Sequence, residues 1–125
     1  MAVRWSELSP PAKTLRLIHI SVAMTGLTSL GYLWLCALTG RHDRFLAMAC
    51  AALSLQGAAI LVGRGSCPMG PIQARLGDAV PFFELLLPKR AAKAAFPLLI
   101  TTTLAGLAVV GARYARSIER VSPAA

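Results

Sequence analysis

The side chains that could do chemistry in this chain are few. They are His19 and His42, Cys36, Cys50 and Cys67, and, away from the termini, the acids Asp43, Asp78 and Glu84. Two histidines invite haem ligation, since small helical membrane proteins often carry haem on histidine pairs. His19 and His42 bracket one apolar run, however, and as a helix that run would hold them about 35 Å apart. One chain therefore cannot offer both to one iron, and His19 would need a second ligand from a partner. The plainer account of His19 is a histidine near the membrane surface that bonds water or headgroups. Glu84 lies between Phe82-Phe83 and Leu85-Leu86-Leu87, and an ionisable group in apolar surroundings is costly and often functional. A salt bridge to Arg75 or Lys89, or exposure on a polar face, explains it more simply.

Cys67 sits in the stretch RGSCPMGPIQARLGD, residues 64–78. A nucleophilic cysteine needs a base or a positive field to hold its thiolate. Arg64 and Arg75 supply some field, but no Cys-His-Asx order is evident. The cysteines form no CxxC pair, and their odd number argues against a disulfide framework. Too few other ligands exist for a zinc site. Gly63, Gly65 and Gly70 fit neither the dinucleotide nor the P-loop pattern, and no strand precedes them. The expectation is that no catalytic, cofactor-binding or metal site is present and that the chain is not an enzyme. Gly63, Gly65, Cys67, Pro68, Gly70 and Pro71 are expected to form a compact structural loop, the glycines admitting positive φ and the prolines fixing extended or turn conformations. If chemistry occurs at all, a His19–Glu84 or His19–Asp78 pair is the arrangement that the topology below allows, whereas a Cys67–His42 dyad is excluded.

The elements that must position these residues are apolar helices. With 56% hydrophobic and only 14% charged residues, the composition is far from that of a soluble domain, about a quarter of which is charged. The apolar residues come in blocks that are hydrophobic all round, and 125 residues cannot build a core to bury them in water. The predicted fold is an all-α integral membrane bundle forming a single domain, with spans at about 18–40, 45–62 and 94–112. A short interfacial or half-inserted helix is predicted at 79–88, with Asp78 as its cap. Residues 1–16 read as a polar, basic segment broken by Pro10-Pro11, and Pro97 is placed in the first turn of the last span. A fourth, tilted span over 72–87 is the alternative. The first run is too long for a secretory signal and lacks its cleavage site.

A net charge of +8 would suggest nucleic acid in a soluble protein. Here the basic residues flank apolar blocks, where they meet anionic headgroups, and aromatic residues are too sparse to stack bases. Nucleic acid is excluded as a partner. In a three-span topology, eight Lys and Arg lie on the side of the N-terminus and segment 63–93, and five on the other. This favours a cytoplasmic N-terminus in a bacterial inner membrane. Small residues recur along the spans (Ser21, Thr25 and Ser29; Ala47, Ala51 and Ala58; Thr102 and Gly106), as they do where helix backbones approach closely.

Residues 60–112 resemble part of a group of small uncharacterised bacterial membrane proteins, in which a Cys-Pro-Leu-Thr-type motif follows a hydrophobic helix. The matching residues are Cys67-Pro68-Met69-Gly70, followed by Arg75, the stretch 80–88 and a last span. Met-Gly replaces Leu-Thr here, and Gln73 stands where an acid is expected. The resemblance implies a membrane protein and nothing more about its role.

The leading expectation for function is a small accessory or structural subunit of a larger bacterial membrane complex, a transporter or a respiratory assembly. Tyr32, Trp34, Phe82 and Phe83 would contact lipid or larger integral subunits, and Lys89, Arg90 and Lys93 anionic lipid headgroups. One rival is a redox protein linked to quinone or haem that uses His19 and Glu84. The other is an anionic-lipid-binding module.

Overall fold

The computed structural model describes residues 4–64, 67–78, 84 and 86–122. Every regular element among them is helical: α1 (Pro10–Thr39), α2 (Arg44–Val62), the short α3 (Met69–Arg75) and α4 (Lys89–Val121), with a 3-10 turn at Trp5–Glu7 before α1. The helices α1, α2 and α4 are long and apolar enough to cross a membrane. No more than 22% of any of these spans is buried in the protein, so most of their apolar surface is left for lipid.

The outer helices run well beyond their apolar centres. α1 has 30 residues and α4 has 33, so they are about 45 and 50 Å long against a hydrocarbon core of roughly 30 Å. Pro10-Pro11, read from sequence as a break in a polar segment, instead opens α1. Proline at the first helical positions has no N–H to forfeit there, and its fixed φ suits the helix. Pro97 is not in the first turn of the last span, because α4 starts at Lys89 and encloses it.

Two further expectations are corrected between α2 and α4. Among the described residues directly after α2, the positive φ falls on Arg64 at 54°, while Gly63 has φ −77° and Gly70 lies inside α3. Pro71 is neither extended nor in a turn but lies inside α3. A single helix over 72–87 is ruled out, since the chain leaves the helical conformation at Leu76–Asp78. The interfacial helix expected at 79–88 falls largely outside the described residues, among which Glu84 and Leu86 are helical.

The helix α1 packs along both α2 and α4, which scarcely touch one another. The tightest packing is near the α1–α2 turn, where Leu33, Cys36, Leu46 and Leu53 are buried together and Tyr32, Cys50, Leu107 and Val110 lean on them. Asp43 organises that turn. Its Oδ1 accepts from the Leu46 N–H at 2.9 Å and caps α2, and its Oδ2 accepts from the Tyr32 hydroxyl at 2.6 Å. Gly40 closes α1 at φ 73°. The small residues that allow close approach are Gly106, which is among those expected, and Gly26, which is not, whereas Ser21 and Thr25 are exposed. Gly26 makes room for the Gln56 amide, which donates to Val22 O at 2.8 Å, and Gly106 for Leu33 and Trp34. Away from this packed end, α2 and α4 part, and a cleft opens between them.

Candidate functional site

The site is built from the first turns of α1 and from the segment that follows α2. Arg16 and His19 are three residues apart in α1 and so share a face. Opposite them, α3 ends in a pair of backbone bonds, Asp78 N to Gln73 O at 2.9 Å and Gly77 N to Ala74 O at 3.1 Å. This is a Schellman turn, and it requires a left-handed residue at the position held by Gly77, whose φ is 86°. The turn brings Asp78 back over the end of α3, beside Gln73.

A continuous chain of polar contacts results. Arg16 Nε donates to Asp78 Oδ2 at 2.7 Å, and a second guanidinium N–H donates to Oδ1. Gln73 Nε2 donates to Asp78 Oδ2 at 3.3 Å, which turns the amide oxygen toward α1. That oxygen lies 2.7 Å from His19 Nδ1. An amide oxygen can only accept, so Nδ1 carries the hydrogen, and in neutral imidazole the other ring nitrogen is then the basic one. The imidazole and the Cys67 side chain stand together on the wall of one cleft, close enough to interact. Arg16, Gln73 and Asp78 are buried, whereas His19 and Cys67 are half-exposed. The relay therefore runs from a shielded ion pair to an accessible sulfur.

Its electrostatics favour the thiolate. The interaction with His19 holds the Cys67 thiol below the ordinary cysteine range, and the nearby backbone N–H groups of Met69 and Gly70 act in the same direction. Partial burial opposes them. A thiol with an adjacent imidazole, itself oriented by a third group, is the arrangement by which cysteine becomes a usable nucleophile at neutral pH.

Cys67 and His19 lie on the rim of a cleft of about 430 Å³ lined by α1, α2 and α4. Its walls are otherwise mainly aliphatic: Val22, Leu27 and Leu30 from α1, Leu53 and Ile60 from α2, and Leu99, Leu104 and Leu107 from α4. From His19 to Leu30 the α1 wall extends about 16 Å. The site is thus polar and reactive at one end and apolar for the rest of its length.

The other residues singled out from sequence are placed as follows. Asp78 is held by Arg16 and Gln73 rather than directly by His19, and its carboxylate serves that pair. Glu84 is half-buried, and His19 is joined to Gln73 and Cys67 rather than to it. His42 lies in the α1–α2 turn, where Nδ1 is 2.9 Å from Gly40 O and the ring stands 5.8 Å from that of Tyr114. Tyr32 is turned to Asp43, and Trp34 to Gly106 with its indole N–H buried and without an acceptor among the described residues. Lys89, Arg90 and Lys93 are exposed at the cleft end of α4, as are Pro68, Gly70 and Pro71 in the loop, while Gly63 is half-buried. Gly65, Phe82 and Phe83 lie outside the described residues. Sequence reasoning missed Arg16 and Gln73. The spacing of Arg16 and His19 was the one usable signal for the first, and nothing in the sequence marked Gln73 as buried. Comparison of the chain with protein-family models, with curated proteins and with solved structures gave no match.

Proposed function

We propose that this chain is a multi-pass protein of the bacterial inner membrane that holds a single-chain amphiphile in the α1–α2–α4 cleft, its polar end against Cys67 and His19. The observation that carries this reading is the position of the relay: a polar network buried at Arg16, Gln73 and Asp78 emerges at His19 and Cys67 on the rim of an apolar cleft. Residues of opposite character at the two ends of one cavity match a molecule with a head and a tail. Arg64, Arg75, Lys89, Arg90 and Lys93 are exposed around the same end, so the head that suits it is anionic. The excess of Lys and Arg on this side supports a cytoplasmic location for it.

Equilibrium binding of a fluorescent long-chain fatty acid to the protein in nanodiscs tests the reading. Ala23→Trp, which fills the cleft from α1, should weaken binding at least tenfold. Equal binding by wild type and Ala23→Trp would refute it. Fusions test the orientation: with an odd number of spans, alkaline phosphatase at the C-terminus should be active and a fluorescent protein there dark.

An accessory role in a larger membrane complex is a second proposal, supported by α4. Only 6% of its apolar window is buried, so its outer face is open to another subunit as much as to lipid. Co-migration with larger subunits on native gels after extraction in mild detergent would support it, and migration alone would not.

A further inference from the structure

The features of the cleft define the chemistry its occupant can undergo, and they deepen the reading just given, on which this inference rests. A thiol paired with an imidazole attacks electrophilic carbon, and the group it attacks must arrive with an apolar chain below it and negative charge above it. A long-chain acyl thioester of the coenzyme A or phosphopantetheine type has all three parts: an apolar chain, an electrophilic carbonyl and a phosphate-bearing head. We propose that Cys67 is an acyl acceptor, taking the acyl group of such a thioester so that the chain comes to lie in the α1–α2–α4 cleft.

The step balances without a further reactant. The Cys67 thiol gives its proton to the basic nitrogen of His19 as its sulfur adds to the thioester carbonyl. Collapse of the tetrahedral adduct breaks the donor's carbon–sulfur bond, and the imidazolium returns the proton to the departing sulfur. One thioester is exchanged for another, with no change of oxidation state. Gln73 keeps the hydrogen on Nδ1 so that the other nitrogen faces the thiol, and the Arg16–Asp78 pair fixes the Gln73 amide. Gln73, Asp78 and Arg16 are positioning residues. The phosphates of the donor would meet the exposed cations Arg64, Lys89, Arg90 and Lys93, which stand on the Cys67 side of the membrane.

The cleft sets the chain length. Its α1 wall, about 16 Å from His19 to Leu30, accommodates a long acyl chain and gives an acetyl group almost nothing to contact. Palmitoyl-coenzyme A should therefore react and acetyl-coenzyme A should not. Cys36 and Cys50 are also free thiols, but Cys36 is buried and Cys50 packs against the core on the far side of the cleft's deep end. Neither has an imidazole beside it among the described residues, so acylation should be confined to Cys67.

The test is intact-protein mass spectrometry of the full chain in nanodiscs after incubation with palmitoyl-coenzyme A at neutral pH. The expected result is a single added palmitoyl group, removed by neutral hydroxylamine, mapped to Cys67 and absent in Cys67→Ser. His19→Gln should slow its formation about a hundredfold or more, the size of a lost acid–base partner, while circular dichroism and the melting temperature confirm that the variant is folded. No adduct on wild-type protein whose Cys67 still reacts with maleimide overturns the proposal. So does an adduct on Cys36 or Cys50, or an equal rate in His19→Gln. Binding of the fluorescent fatty acid by the unacylated wild-type protein separates the two failures. Binding without acylation sinks the covalent step alone, whereas loss of both sinks the cleft reading with it.

Discussion

Removing the Asp78 carboxylate is the sharpest probe of how the site is held. In Asp78→Ala the Arg16 guanidinium loses both of its bonds to the carboxylate, and the Gln73 amide loses its acceptor. Both charged partners are shielded, with side-chain exposures of 9% for Arg16 and none for Asp78, so surface screening does not dilute the effect. Deleting one member of such a pair typically costs about 3–5 kcal/mol, because the other charge stays buried. Arg16 lies in the second turn of α1, near the membrane surface, and can extend toward headgroups. This places the expected loss near the lower end, at about 3 kcal/mol, or roughly a 10 °C fall in melting temperature for a chain of this size. The assay is thermal unfolding followed by tryptophan fluorescence in detergent, since Trp34 packs at the α1–α4 contact. The paired variant Arg16→Met/Asp78→Leu separates the causes. Two apolar side chains leave no buried charge, so most of the lost stability should return. Maleimide labelling of Cys67 should nonetheless remain about fivefold slower than in wild type, the equivalent of one hydrogen bond of about 1 kcal/mol lost from the relay. A loss below about 1 kcal/mol in Asp78→Ala, or a paired variant no more stable than it, would refute the reasoning.

Four further outcomes follow from the same geometry. The Cys67 thiol is held below its ordinary value mainly by His19, so its thiolate persists to lower pH than that of a free cysteine. The pH profile of Cys67 alkylation should move upward in His19→Ala, and an unmoved profile would contradict the pair. Gly77→Ala should destabilise by about 1 kcal/mol, because φ 86° is strained for any residue with a Cβ, and it should slow Cys67 labelling through the displaced Asp78. Gly106→Ala should cost about 1–3 kcal/mol, since its Cβ would stand 2.9 Å from the fully buried Leu33 side chain. Gly26→Ala meets only the movable end of Gln56 and should cost less in the same melting experiment. Asp43 is held below the usual carboxylate range, first by the Tyr32 hydroxyl and then by the Leu46 N–H. A lowered folded-state value means that its stabilisation is complete above the unfolded pKa and is lost as pH falls through the folded one. The melting-temperature gap between wild type and Asp43→Asn should therefore be open at neutral pH and close in acid.

The fold was legible because lipid makes it so. A block that is apolar all round has one common fate, and the blocks at 45–62 and 94–112 lie within α2 and α4, while that at 18–40 lies within α1 but for Gly40, its cap. Helix ends were less legible because the signals conflict: Pro10-Pro11 and Pro97 read as boundaries, yet one opens a helix and the other lies inside one. The left-handed residue at Arg64 was hidden for a related reason, since Gly63 beside it offered a cheaper position for that conformation. The site was legible only in its parts. His19 and Cys67 are 48 positions apart, and their meeting depends on how deeply α1 begins, on the Schellman turn at Gly77 and on a glutamine that no local pattern marks for burial. Periodicity tells which side of a membrane a residue occupies. It does not tell which neighbour it faces there.

The cost of the relay bears on its meaning. Arg16, Gln73 and Asp78 are buried in a protein that has abundant aliphatic side chains to fill the same space, and a buried ion pair of this kind is seldom more stabilising than apolar residues of equal volume. If the only task were to fasten α3 against α1, leucine and methionine would do it at least as well. What apolar residues cannot do is fix the direction of an amide, and through it the hydrogen on an imidazole. The pair is most economically understood as orienting Gln73, and Gln73 as orienting His19, with the consequence felt at the sulfur of Cys67 on the cleft rim. The paired apolar variant puts this argument at risk directly. Recovered stability with a sluggish thiol supports it, and recovered stability with an undiminished thiol would mean that the charges serve only to hold the fold.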